Sequence, residues 1–194
     1  MSRQAPWWIA AALISAAAIL WWLHPAPPLY GYPFPRSPLV GGVTLLGDRG
    51  QPVRFSDFRG KFLVIYFGDT RARANTPPIL KLLQRTYRQL GRPSRLALMM
   101  ISIDPAYDRP GVLRRFLANF KPVIGLTGTG SSVAEVAKEF AASYTPHPNL
   151  AELSTHTTDL FVVGPRGHLR RVYSPLSLAD GHLALGLGRL LGVQ

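Results

Sequence analysis

Two apolar runs stand out in the pattern of hydrophobic and polar positions, Lys61–Phe67 (KFLVIYF) and Leu96–Ile103 (LALMMISI). Runs of this length without alternation predict strands covered on both faces, and the second places at least one of Met99 and Met100 in the core. Between them, Ile79, Leu82, Leu83, Tyr87 and Leu90 recur at helical spacing and predict a helix over Pro77–Leu90. Lys81, Arg85, Arg88 and Arg92 form a basic stripe on another face of that helix. A second helix starts at Pro110, with Val112, Leu113, Phe116, Leu117 and Phe120 on its apolar side. Ser132 and Glu135 have capping-box spacing ahead of Val133, Val136, Ala137 and Phe140, which predicts a third.

Turn residues supply the rest. Gly47-Asp48-Arg49-Gly50 lies between Val43–Leu46 and Pro52–Phe55, and Gly164-Pro165-Arg166-Gly167 lies between Leu160–Val163 and Leu169–Tyr173; both read as β-hairpins. A helix weakened by glycines follows from about 179 to 191. The order of elements predicts an α/β, thioredoxin-like fold over 39–194, a central mixed sheet flanked by helices.

Ahead of this domain, Trp7–Leu23 runs 17 residues without a charge, with Trp pairs at both ends. That is the short end of what crosses a bilayer core of ~30 Å, with indoles at headgroup level. A cleaved signal peptide is the competing reading, but Trp21-Trp22-Leu23 occupies the place of a small-residue cleavage site. The expectation is a transmembrane anchor over 7–23, with the short tail 1–6, carrying Arg3, in the cytoplasm. The remainder then faces the periplasm, from the inner membrane of a Gram-negative bacterium. Residues 24–38 include six prolines and predict an extended linker.

The net charge of +12 comes from 18 Arg and 4 Lys against 10 acidic residues, yet no nucleic-acid motif accompanies it, so nucleic acid is not an expected partner. The absence of cysteine changes the picture more. It excludes disulfides, thiol redox catalysis and zinc- or copper-thiolate sites within the chain. No Ser/His/Asp order, phosphate loop or carboxylate pair replaces them, so the expectation is a protein that is not an enzyme and has no resident cofactor.

Several stretches together resemble the Sco/SenC proteins. These are Phe55-Ser56-Asp57-Phe58-Arg59-Gly60-Lys61, Tyr66-Phe67-Gly68 with Thr70, and Ser102-Ile103-Asp104-Pro105 with Asp108. Leu126-Thr127-Gly128-Thr129, Ser154-Thr155-His156-Thr157, and Leu160-Phe161-Val162-Val163 with Pro165 and Gly167 complete the set. The resemblance implies a membrane-anchored thioredoxin fold that helps to metallate the binuclear copper site of cytochrome c oxidase. It also implies a copper site made of a Cys-x-x-x-Cys in the loop after the first buried strand and a distant histidine. Here the two cysteine positions fall on Ala72 and Thr76, and only His156 matches. Asp69, Arg71 and Arg73 depart from the family pattern as well, so the loop differs as a unit.

The candidate site is therefore the loop Asp69–Thr76. Thr76, before Pro77-Pro78, is placed to cap the helix rather than to bind metal. Arg71 and Arg73 beside a helix N-terminus are anion-binding candidates, with solvated side chains as the plainer alternative. His156, alone or with Asp69 or His147, is the one metal-ligand candidate, suited to Cu(II) or Zn(II). Tyr66, Asp104 and Asp108 carry titratable groups, with Asp104-Pro105 read as shaping a turn. The function expected is that of a non-redox accessory factor, with respiratory oxidase subunits or copper-assembly proteins as partners. Copper(II) delivery through His156, or anion binding, are the alternatives.

Overall fold

The computed structural model of the chain describes residues 13–15, 30–34, 38–142, 158–174 and 181–193. Among these, the strands form one eight-stranded sheet in the order β1-β8-β7-β4-β5-β6-β2-β3. Its centre is β4 (Phe62–Gly68), parallel to β5 (Leu96–Ser102), which is parallel to β6 (Ile124–Thr127). Every residue of β4 and β5 is buried, as their unbroken apolar runs require. The hairpin β7 (Leu160–Val163) and β8 (Leu169–Tyr173) joins antiparallel to β4 on one side. The hairpin β2 (Thr44–Gly47) and β3 (Pro52–Arg54) joins antiparallel to β6 on the other.

Successive side chains of a strand point to opposite faces, so the central strands feed two cores. On one face Phe62, Val64 and Tyr66 meet helices α1 (Thr76–Gln89), α2 (Pro110–Leu117) and α4 (His182–Leu191) through Leu80, Leu83, Leu113, Leu117, Leu183 and Leu187. On the other, Leu63, Ile65 and Phe67 meet α3 (Gly130–Glu139) through Val133, Val136 and Phe140. Phe140 sits edge-on to Phe55, Phe67 and Phe161 at centroid distances of 5.5–5.8 Å, which locks the β2–β3 side to the central strands.

Four local features differ from expectation. β6 has no counterpart in the sequence reading; it is four residues long and contains Gly125, where a Cβ would lie 2.6 Å from a Leu117 methyl. The α3 cap lies one turn upstream of Ser132. Thr129 accepts from the Ser132 amide at 3.1 Å and donates its own amide to Ser132 Oγ at 3.0 Å. Thr76 is not a cap, since Asn75 holds that position and Thr76 is the first helical residue. Residues 30–34 of the proline-rich segment pack on the domain instead of standing free of it. Tyr32–Pro33 form β1 at the sheet edge beside β8, where a missing amide is tolerated. The Tyr30 ring stacks on His182 of α4 at 4.1 Å.

Of the apolar segment 7–23, only 13–15 are described, as helix with Leu13 and Ile14 exposed. Among the described residues no helix is long and apolar enough to cross a membrane.

Candidate functional site

The loop after β4 faces the loop after β5, as parallel neighbouring strands dictate. Gly68 ends β4 opposite Ser102, and the Ile103 amide donates to the Gly68 carbonyl at 3.1 Å. Gly68 is needed here because a Cβ would lie 2.3 Å from the Tyr66 ring, which folds over it toward the start of α1. The Tyr66 and Thr76 hydroxyls meet at 3.4 Å, both residues fully buried. Burial pushes the Tyr66 phenol up to about 12, the Asp69 carboxylate adds to this, and the Thr76 hydrogen bond opposes it. The ring is therefore a neutral structural group at any physiological pH.

Asp69 organises the loop's first turn. Its Oδ1 accepts from the Arg71 amide at 2.9 Å and from the Ala72 amide at 2.7 Å, the local bonding that favours aspartate in turns. The Thr76 amide then donates to the Ala72 carbonyl at 2.9 Å, so the two positions that correspond to the family's cysteines lie one helical turn apart. Ala72 is 8 % exposed and Thr76 fully buried. A methyl and an engaged hydroxyl occupy the space.

Asp108, fully buried, ties the two loops together. It accepts from the Thr70 amide at 3.0 Å, from the Thr70 hydroxyl, and from the Ser102 hydroxyl at 2.7 Å. Burial raises its carboxyl above the ordinary value of 3.8; the bonds from Thr70 and Ser102 oppose that rise, and the nearby Asp69 charge adds to it. Ser102 Oγ in turn accepts from the Asp104 amide at 3.1 Å.

Arg71 closes the outer side. Its guanidinium pairs with the Asp104 carboxylate and lies 4.9 Å from the centroid of the Tyr107 ring. The pair is partly exposed, with the Arg71 side chain at 33 % and that of Asp104 at 20 %. Arg71 thus spends its charge on a neighbouring loop, while Arg73 points outward and is exposed. His147 and His156 lie outside the described residues.

The donor set does not fit the copper site that the family resemblance implies. The chain has no thiol, Ala72 offers no donor, and the Thr76 hydroxyl is committed to Tyr66. Among the described residues no group of three or more His, Asp or Glu side chains converges to hold a metal ion. What the residues build is a cross-braced junction between two loops. The sequence marks Asp104-Pro105 as a turn and Asp108 only as a titratable side chain, and no short-range spacing announces partners 33 and 38 positions away. Tyr107 went unnoticed for the same reason.

The comparisons with known proteins agree with this fold. The chain is 31 % identical to apo Sco1 of Thermus thermophilus, whose solution structure superposes with a TM-score of 0.70 over 85 % of this chain and 96 % of that one. Yeast Sco1 with copper bound superposes with a TM-score of 0.67 at 25 % identity, over 81 % of this chain and 87 % of that one. Mitochondrial SCO2 of Saccharomyces cerevisiae is 33 % identical over 136 residues, 66 % of this chain and 45 % of the relative. The chain spans about half the length of the curated mitochondrial relatives it matches. The SCO1/SenC family model matches residues 35–187, most of the chain and all of the sheet except β1, and on that match the chain belongs to the SCO1/SenC family.

Proposed function

We propose that this chain acts in the assembly of a respiratory cytochrome oxidase, or of the machinery that supplies its copper, by binding a protein partner rather than by thiol chemistry. The observation that carries the reading is the rebuilt loop. Family membership keeps the scaffold, while Ala72 and Thr76 stand at the cysteine positions, held by the Asp69 turn and flanked by the Thr70–Asp108–Ser102 network. A site that had merely lost its ligands would be left as a gap. Here the buried polar side chains Asp69, Thr76, Ser102 and Asp108 each have a hydrogen-bond partner, and Arg71 with Asp104 braces the outer edge. The relatives support the setting: yeast Sco1 is described with copper bound, and this chain shares its fold.

In this reading residues 7–23 hold the protein in the inner membrane, and the domain faces the periplasm. The partner meets the domain's surface, and no catalysed step is involved. Affinity purification of the tagged full chain from solubilised membranes tests the proposal. Oxidase subunits or copper-assembly proteins are expected among the proteins retained, undiminished when copper is chelated throughout. Recovery of none of them, under conditions that keep those complexes intact, overturns it.

A further inference from the structure

The charge of this protein is divided between the two faces of its sheet. Residues 76–95 and 110–121, which build α1, α2 and the segments that follow them, hold eight Lys or Arg and no Asp or Glu. α4 in the same layer also lacks a carboxylate. The opposite helix, α3, carries Glu135 and Glu139 against Lys138.

The cations on the first face are arrayed, not scattered. Lys81, Arg85 and Arg88 follow at i, i+4 and i+7 on one exposed stripe of α1, and Arg92 comes just past its end. Arg114 and Arg115 are exposed on α2. The Gln84 side chain donates to the Asn119 carbonyl at 3.3 Å and the Lys121 carbonyl at 2.8 Å, which joins the two rows into one surface. Among the described residues none of these six cations forms an ion pair. Both helices already bury their apolar sides against the sheet. The outer face is a broad basic surface, not a pocket, which suits a continuous anionic plane.

The chain enters the domain on this same layer. Tyr30 stacks on His182 of α4, and the Arg189 guanidinium lies 5.4 Å from its ring centroid. Six residues separate Leu23, the end of the apolar segment, from Tyr30, seven steps of chain with a covalent reach of at most about 25 Å. α4 in turn contacts α1. A tether of that length keeps the basic layer near whatever surface holds residues 7–23.

We propose that the α1–α2 face docks on anionic phospholipid headgroups of the membrane that anchors the chain, so that the domain lies with its helices α1, α2 and α4 toward the bilayer. The inference rests on the anchor reading above. Docking leaves α3 and the β2–β3 hairpin turned away from the lipid and open to a protein partner. Clustered Lys and Arg near an anionic leaflet gain roughly fivefold in association for each cation, and on the order of a hundredfold for three.

The absence of native cysteine makes the test direct. A single thiol is introduced as Gln89→Cys, exposed on α1, or as Ala134→Cys, exposed on α3, and carries an environment-sensitive fluorophore. The full chain is placed in nanodiscs of phosphatidylcholine alone or mixed with phosphatidylglycerol. The α1 probe is expected to be shielded from a soluble quencher on the mixed discs only, and the α3 probe on neither. Lys81→Gln/Arg85→Gln/Arg88→Gln should abolish the shielding, whereas Lys138→Gln on α3 should not.

Equal quenching of the α1 probe on both discs, or shielding that survives the triple substitution, overturns the proposal and turns the face toward an acidic protein instead. If the chain does not insert, the anchor reading fails separately. Sedimentation with phosphatidylglycerol vesicles then decides the surface: binding lost with phosphatidylcholine vesicles or with the triple variant supports it, and no binding refutes it.

Discussion

Removing the Asp108 carboxylate tests the cross-braced junction most sharply. Asp108→Ala leaves the fully buried Ser102 hydroxyl and the Thr70 amide and hydroxyl without their acceptor. A buried donor stripped of its partner costs ~1–3 kcal/mol. Thr70 is only half-buried and water can reach it, so the sum comes to about 2–4 kcal/mol rather than three full penalties. For a domain of this size each kcal/mol lowers the Tm by roughly 2–4 °C, which predicts a fall on the order of 10 °C.

The isostere Asp108→Asn adds a pH signature. The folded-state carboxyl is raised above 3.8 by burial, so its contribution to stability is fully present below that value and is lost as pH rises through the raised one. Asn has no such term. The deficit of Asp108→Asn relative to wild type is therefore largest at low pH and shrinks as the pH climbs. Urea denaturation followed by circular dichroism, from about pH 3 to 8, measures both effects. A Tm unchanged in Asp108→Ala, or an Asn deficit that grows with pH, would refute the reasoning.

Three further outcomes follow from the same geometry. Arg71→Ala should cost no more than about 1 kcal/mol in chemical denaturation, because its pair with Asp104 is partly exposed; a larger loss would mean that the pair holds the loops together on its own. Phe140→Ala should cost about 3–5 kcal/mol by opening a cavity among Phe55, Phe67 and Phe161, and a loss below 1 kcal/mol in the same assay would contradict the packing described. Ala72→Cys/Thr76→Cys places two thiols one turn apart, so oxidation is expected to remove both free thiols in a thiol titration, whereas retention of both would show that the loop is not held as described.

Much of the fold was legible in the sequence. β4 and β5 appear as apolar runs because both of their faces are covered, and α1 appears as a periodic stripe because one side only meets the sheet. The elements that escaped are those whose identity is fixed by neighbours. β6 is four residues with a glycine pressed by Leu117, and β1 is a Tyr-Pro dipeptide that becomes a strand only because β8 presents its edge. The α3 cap was misplaced because Ser132 serves as partner of Thr129 and not as the cap.

At the site, the position was readable and the bonding was not. A strand end meeting a helix start marked Asp69–Thr76, but Thr70 to Asp108 and Arg71 to Asp104 join residues that only the parallel pairing of β4 and β5 brings together. Thr76 shows the limit of local rules. Its residue type and the prolines after it favour a cap, yet the Tyr66 hydroxyl claims its side chain instead.

The proposal that this family member works without thiols is tested most directly by the amount of assembled oxidase in membranes of cells that lack its gene. Reduced-minus-oxidised haem spectra and oxidase activity should both fall, and both should recover when the cysteine-free wild-type chain is returned at native level. Oxidase left undiminished by the deletion would contradict the account.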